Sequence, residues 1–112
     1  MLHTAFIENL DPVYLKRYMK SVFVMSFQKG GLSYQRQVEV PIVYDGITFD
    51  VGFRLDVLVE NLVICELKAV DETNPVWEAQ LLSHLKLSGK RLGFLINFNV
   101  KYIKDGIKRV IL

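Results

Sequence analysis

One stretch constrains the fold of this chain more than any other, because residues 63–70 combine six apolar side chains with the two charges of Glu66 and Lys68. Such a run is typical of a buried strand. Side chains alternate between the two faces of a strand, so Glu66 and Lys68 would project from the same face. Two charges in so apolar a strand are costly to desolvate unless a neighbour pairs with them or a function uses them.

Composition limits the class of protein. The chain has 112 residues, of which 51% are hydrophobic and 23% charged, the balance of one globular domain. It has no uncharged run of transmembrane length and no basic, apolar leader, so we expect neither a membrane span nor a secretory signal. Cys65 is the only cysteine, which excludes a disulfide framework and favours a reducing, cytoplasmic setting.

The charge distribution gives a weak indication of a partner. A net charge of +2 does not by itself indicate nucleic acid. In residues 86–112, however, Asp105 is the only acidic residue beside seven basic ones: Lys86, Lys90, Arg91, Lys101, Lys104, Lys108 and Arg109. A solvated basic surface is the simpler interpretation, and a phosphate-binding face is the alternative.

Periodicity and turn residues predict the element order α-β-β-β-α-β, with a short last strand. The first helix would follow Asp11-Pro12, cover residues 13–27 and stop at Gly30-Gly31, although part of it also favours a strand. The predicted strands are residues 34–44, 47–59, 62–70, 91–97 and 107–112. This order predicts a mixed α/β sheet flanked by helices.

Single residues mark the turns and irregularities of these elements. Asp45-Gly46 is a hairpin signal, Pro41 indicates an edge strand or a bulge, and Gly52 a bulge or a close approach. Asn74 and Pro75 suit the cap and first position of a second helix. The apolar stripe of that helix is Trp77, Leu81, Leu82 and Leu85, and Gly89 would end it.

The turn at residues 60–62 decides which residue lies opposite Glu66. With a three-residue loop, Asp56 lies directly across from Glu66, with their Cβ atoms roughly 5 Å apart. With a two-residue loop, Asp56 would lie opposite Cys65 instead. Two carboxylates that close repel each other unless a cation lies between them, and hard oxygen ligands suit Mg²⁺ or Mn²⁺.

Lys68 lies one pleat further along the same predicted face. There it could orient an attacking water or neutralise charge on a scissile phosphate. The simpler interpretation is a set of solvent-facing cross-strand pairs. Arg54, which falls opposite Lys68 in the same register, disfavours a plain ion-pair face and favours one that binds an anion.

Several segments in order resemble a known family. Asp56 followed by Glu66-Leu67-Lys68 matches the D-x(n)-(D/E)-x-K signature of the PD-(D/E)xK nuclease superfamily. More narrowly, the chain from about residue 31 onward resembles the GxxExxR protein family, a small prokaryotic family assigned to that superfamily. The matching segments are residues 52–56, 66–70, 78–82, 85–89, 93–99 and 104–109.

The resemblance implies a restriction-endonuclease-like core and a metal-dependent nuclease that acts on DNA or RNA. In such a site Asp56, Glu66 and the Leu67 carbonyl would hold Mg²⁺ or Mn²⁺, and Lys68 would assist the water. Gln80 and His84, one helical turn apart, would face the same site, where the RecB and lambda-exonuclease branch carries Q-x-x-x-Y; a helix-surface pair is the alternative. Nucleic-acid contacts would come from Arg54, His84, Lys86, Lys90 and Arg91.

The sequence departs from the family at its N-terminus. The G-x-x-E-x-x-R motif, whose Glu commonly completes the metal site, has no counterpart in residues 1–30, which we expect to be truncated or replaced. We do not expect Glu8 to substitute for it. The departure supports an alternative hypothesis, a catalytically degenerate module that binds nucleic acid or protein. A third hypothesis is a truncated chain without independent function, or one that needs a homodimer partner.

Overall fold

The computed structural model describes residues 12–112, so the predicted cap Asp11 and the carboxylate Glu8 lie outside the described residues. The elements are α1 (Pro12–Gly30), β1 (Tyr34–Tyr44), β2 (Ile47–Val59), β3 (Val63–Lys68), α2 (Pro75–Ser88), β4 (Leu92–Asn97) and β5 (Ile107–Ile111), with a 3-10 turn at Ile103–Gly106 before β5. This is the predicted order. The bounds differ from those predicted mainly by one to three residues at element ends.

Within the described chain, the strands form one five-stranded sheet in the order β1-β2-β3-β4-β5. All neighbours are antiparallel except β3 and β4, which run parallel. A parallel pair needs a long crossover, and α2 supplies it. The strand that carries Glu66 and Lys68 is therefore central, and the predicted mixed α/β sheet is confirmed.

The first hairpin has the predicted turn and irregularity. Asp45 and Gly46 both adopt positive φ, at 51° and 75°, which suits the right-handed twist of a tight hairpin. Pro41 lies on the edge strand β1, where the register shifts between Val40 and Ile42. The backbones approach so closely there that a Cβ at Gly52 would overlap the Val40 carbonyl oxygen. Both the bulge and the close approach are confirmed.

The second hairpin settles the turn length that the sequence left open. Val59 pairs with Val63, so the loop has three residues. Glu60 and Asn61 both have φ of 54°, and the Leu62 N–H donates to the Val59 carbonyl at 2.9 Å. The ladder then runs only as far as Val57–Cys65, one position short of the predicted Asp56–Glu66 pair.

Each helix covers one face of the sheet. α2 packs with Leu81 and Leu85, both fully buried, on a cluster completed by Leu55, Leu58, Ile64, Leu95 and Val110. On the other face Met19, Phe23 and Phe27 of α1 pack on Val57, Val59, Cys65, Leu67, Ile96 and Phe98. Burial of these apolar side chains holds both helices against the sheet.

α2 begins and ends as its sequence predicts. The Asn74 side chain accepts a hydrogen bond from the Val76 N–H at 3.0 Å, and Pro75 occupies the first turn. Gly89 ends the helix with φ of 73°, and its N–H donates to the Leu85 carbonyl. The caps fix where α2 begins and ends, and the packing of Leu81 and Leu85 on the sheet fixes which of its side chains face β3.

Candidate active site

Glu66 and Lys68 lie on the face of β3 that α2 covers. Ile64 belongs to the cluster under α2, whereas Cys65 and Leu67 belong to the cluster under α1. Alternation then turns Glu66 and Lys68 toward α2, where both are half-buried. The prediction that the two charges share a face is confirmed.

Asp56 sits where the alternation of β2 breaks. Leu55 and Leu58 both face α2, while Val57 faces α1, so one residue between them departs from the pleat. Beyond Val57 the two strands are no longer paired, and the Leu67 N–H donates to Asp56 Oδ2 at 3.0 Å. A side-chain carboxylate thus replaces the main-chain acceptor that a regular ladder would have provided.

A lysine of α1 meets the other oxygen of Asp56. Lys20 Nζ lies 3.3 Å from Asp56 Oδ1, and the two side chains are only 13% and 17% exposed. Burial alone would raise the pKa of Asp56. The hydrogen bond from Leu67 and the charges of Lys20 and Lys16 outweigh that effect and hold the pKa below its usual value.

Sequence reasoning did not identify Lys20 as a site residue. Lys16 and Lys20 are spaced i, i+4 beside Met19 and Phe23, which face the core. Two lysines at helical spacing next to a buried stripe were the available signal, since such side chains must find a partner.

Glu66 is the less compensated member of the pair. Its Oε1 is buried and has no hydrogen-bond partner among the described residues, and the same holds for Nδ1 of His84, 3.6 Å away. Burial, and then the charge of Asp56, raises the pKa of Glu66 to about 7. A buried carboxylate oxygen without a donor is expensive, so this position favours a proton or a cation.

His84 is held as a neutral ring beside Glu66. It stacks on Phe53 with ring centres 4.3 Å apart and planes 4° from parallel. Burial lowers the pKa of His84, and the positive charge of Lys68 adds to that, although Asp56 acts in the opposite direction. His84 and Gln80 line one narrow crevice with Glu66 and Lys68, so the structure brings both predicted α2 residues to the carboxylate.

Lys68 is fixed at the end of β3. Its Nζ lies 5.1 Å from the ring centre of Trp77 on α2, a cation–π contact. Its carbonyl accepts a hydrogen bond from the Phe98 N–H at 2.8 Å. The side chain also lines a cavity of about 400 Å³ between the start of α2 and the 3-10 turn before β5.

The predicted basic contacts lie elsewhere. Arg54 is opposite Glu39 of β1 and forms an ion pair with it at 2.8 Å. Its predicted position opposite Lys68, on the β3 side, is wrong. The register fails because the β2–β3 ladder stops at Val57. Lys90 donates to Asn61 at the turn before β3, the opposite end of that strand from Lys68, and Arg91 donates to the Leu112 carbonyl. Lys86 is exposed in the last turn of α2.

The donor set fits a hard divalent cation in part. Asp56 and Glu66 supply two carboxylates, and the orphaned Glu66 oxygen is an acceptor that lacks a partner. The part of the chain described by the structure holds no cluster of three His, Cys, Asp or Glu side chains arranged for a metal. Mg²⁺ commonly binds through one or two carboxylates and completes its shell with waters and substrate phosphate, so the two residues suffice for such an ion.

Comparison with known proteins identifies the class. A family model of the PD-(D/E)XK nuclease superfamily matches residues 4–110. The match covers nearly the whole chain, and the protein therefore belongs to the PD-(D/E)XK nuclease superfamily. The superfamily resemblance and the restriction-endonuclease-like fold are confirmed, while the narrower assignment to the GxxExxR family stays a prediction.

One solved structure gives an independent view of the fold. The crystal structure of SSO0001 is similar with a TM-score of 0.64 and 19% sequence identity. The match covers 89% of this chain and 50% of that one, so the chain spans about half the length of this neighbour. At this identity the likeness concerns the fold alone. No curated protein matched the chain, and none of the helices in residues 12–112 is long and apolar enough to cross a membrane.

Proposed function

We propose that the protein is a metal-dependent nuclease that hydrolyses phosphodiester bonds of DNA or RNA. The observation that supports this most is the buried, unpaired oxygen of Glu66 beside Asp56, at the D-x(n)-E-x-K signature of the superfamily. A divalent cation held by Glu66 and Asp56 would account for a carboxylate left without a donor in that position.

In this proposal Asp56, Glu66 and the Leu67 carbonyl hold Mg²⁺ or Mn²⁺, which would polarise the scissile phosphate and acidify a bound water. The Leu67 N–H fixes the orientation of Asp56. Lys68, held against Trp77, is positioned to donate to the attacking water or to a phosphate oxygen. Gln80, exposed on α2 at the mouth of the crevice, would orient the substrate.

The metal also decides whether a nucleic acid can approach. Asp56 and Glu66 carry negative charge toward the same small region, which repels a phosphodiester. Protonation of Glu66 or a bound divalent cation removes that repulsion, and only the cation keeps both carboxylates ionised. His84, stacked on Phe53, lies beside Glu66 without a hydrogen bond to Oε1, so it does not supply the missing donor.

Cleavage of labelled DNA and RNA by the purified protein with Mg²⁺ or Mn²⁺ tests the proposal. We expect Lys68→Ala to abolish cleavage, whereas Lys29→Ala, at the exposed end of α1, should retain it. Equal cleavage by wild type and Lys68→Ala would contradict the role of Lys68. No cleavage of either nucleic acid with either metal would contradict the nuclease.

A degenerate nuclease-fold module is the second candidate, and one observation favours it. Both oxygens of Asp56 already have partners in Lys20 and Leu67. Calorimetric titration with Mn²⁺ separates the two. If wild type binds Mn²⁺ and Asp56→Ala does not, the result supports the nuclease. If wild type gives no heat at millimolar Mn²⁺ but still binds nucleic acid, the result supports the module.

The remaining proposals concern organisation and setting. We propose that residues 1–112 act as one domain in which α1 replaces the helix that carries the family motif. The buried, unpaired thiol of Cys65 fits a reducing, cytoplasmic setting.

A homodimer stays a prediction. The tip of the β1–β2 hairpin, with the exposed apolar side chains of Tyr44 and Ile47, is a suitable surface for it. Sedimentation velocity of wild type and Tyr44→Lys tests it: a monomer in both contradicts the dimer.

A further inference from the structure

The contact between Lys20 and Asp56 is built into the packing of α1. Met19 and Phe23, the neighbours of Lys20 on the helix, pack in the core beneath α1, and Phe23 makes an edge contact with Phe98 at 6.1 Å between ring centres. That packing fixes the rotation of the helix. Lys20 therefore reaches Asp56 because of how α1 is seated, and 13% exposure leaves its ammonium little access to water.

The two carboxylates of the site are compensated unequally. Asp56 accepts from the Lys20 ammonium and, at the longer distance of 3.5 Å, from the Gln37 amide on Oδ1, and it has a main-chain donor on Oδ2. Glu66 has none of these donors on its buried Oε1. A divalent ion held by both residues would meet no competing cation at Glu66 Oε1. At Asp56 Oδ1 it would meet the ammonium of Lys20, which already contacts that oxygen.

We propose that Lys20 is an internal counter-cation that competes with the divalent metal for Asp56. The metal binds Asp56 only when Nζ leaves Oδ1, so Lys20 keeps the affinity of the free protein for metal low. Lys20 lies on α1, in the segment where the sequence lacks the G-x-x-E-x-x-R motif. The identity of the ion rests on the proposed function, whereas the competition rests on the contact itself.

Calorimetric titration with Mn²⁺ tests the competition. Lys20→Met removes the competing charge, and we expect it to bind Mn²⁺ about tenfold more tightly than wild type. Lys16→Met is the matched control, because Lys16 lies one turn away on α1 and acts on Asp56 through its charge. We expect its affinity to stay within about threefold of wild type. The double variant Lys20→Met, Asp56→Asn should not show this tighter binding of Mn²⁺.

Unchanged or weaker binding by Lys20→Met would overturn the proposal, and so would an equal gain in Lys16→Met, which would indicate general electrostatics. Loss of a structural contact alone does not tighten binding, so the readout separates competition from stability. Circular dichroism melting checks folding, and Lys20→Gln, which keeps a polar side chain, takes the place of Lys20→Met if the latter unfolds.

The outcomes also separate this proposal from the nuclease. Equal affinity in wild type and Lys20→Met overturns the competition and leaves the metal site standing. Binding by Lys20→Met alone supports the competition and contradicts a metal-dependent wild-type enzyme. No binding by either at millimolar Mn²⁺ contradicts both.

Discussion

The Leu67 N–H donates to the Asp56 carboxylate at 3.0 Å, at the point where β2 and β3 separate. A side chain therefore satisfies a main-chain donor of a central strand. This contact serves both the sheet and the proposed site. The sheet needs an acceptor for the Leu67 N–H, and the site needs an oriented carboxylate.

Replacement of Asp56 separates these two requirements. Asp56→Ala leaves the Leu67 N–H and the Lys20 ammonium without partners, and we expect it to lower the free energy of unfolding by about 2 kcal/mol or more. Asp56→Asn keeps an acceptor for Leu67 and should cost less. Urea denaturation of both variants measures the difference. Equal stability of Asp56→Ala and wild type would contradict the structural role.

Glu66 should make the metal-free protein less stable as pH rises. Its folded-state pKa is raised from 4.5 to about 7, so the folded state holds its proton more tightly than the unfolded chain. The corresponding stabilisation is complete below about pH 4.5 and is lost as the pH passes 7. We expect Glu66→Gln to remove this loss. Thermal melting between pH 5 and pH 8 measures it, and a Glu66→Gln profile parallel to wild type would be the contrary result.

Asp56 should act in the opposite sense at lower pH. Burial raises its pKa, but the Leu67 hydrogen bond and the charges of Lys20 and Lys16 lower it more, leaving it below 3.8. Its stabilisation is present above that value and is lost as pH falls through the lowered pKa. In Lys20→Met we expect the loss to begin at higher pH. Acid titration followed by circular dichroism measures the midpoint, and an unmoved midpoint contradicts the pairing.

Trp77 should position Lys68 for catalysis. The cation–π contact fixes a flexible side chain, and its removal in Trp77→Leu should slow single-turnover cleavage about threefold. Trp77→Phe retains an aromatic face and should stay nearer to wild type. Because Trp77 is the only tryptophan, its fluorescence should also change in Lys68→Met. If Trp77→Leu cleaves at the wild-type rate, the result contradicts the role of Trp77 in positioning Lys68.

Gly52 should not tolerate a side chain. A Cβ there would overlap the Val40 carbonyl oxygen, so Gly52→Ala must shift the edge strand, and we expect a loss of about 2 kcal/mol. Gly30, where a Cβ meets nothing within 4 Å, provides the control. Gly30→Ala should change stability by less than about 0.5 kcal/mol. Denaturation with urea compares the two, and equal stability would contradict the close approach.

Local rules predicted much of this structure and part of the site. The alternation of β3 sufficed to place Glu66 and Lys68 on one face. The caps of α2 and its apolar stripe predicted the helix itself, and the family resemblance implied that it would face them. These features depend on neighbours in sequence or on one hairpin, where spacing and turn chemistry are decisive.

Two features escaped the sequence for physical reasons. Lys20 meets Asp56 across 36 positions, and the spacing of the lysines on α1 does not show which residue of the sheet is the partner. The break in β2 at Asp56 arises because a carboxylate replaces a main-chain acceptor, which period-two alternation does not encode. The predicted register of Arg54 was wrong for the same reason, since it extended a regular ladder past that break.

The break between β2 and β3 has a mechanical consequence. Lys20 reaches Asp56 from α1, and His84 lies beside Glu66 from α2, so helices on opposite faces of the sheet touch one pair of acids through a gap in it. Anything that displaces either helix changes the charge balance of the same two groups. A displacement of α1 on one face or of α2 on the other therefore changes the surroundings of the same two carboxylates.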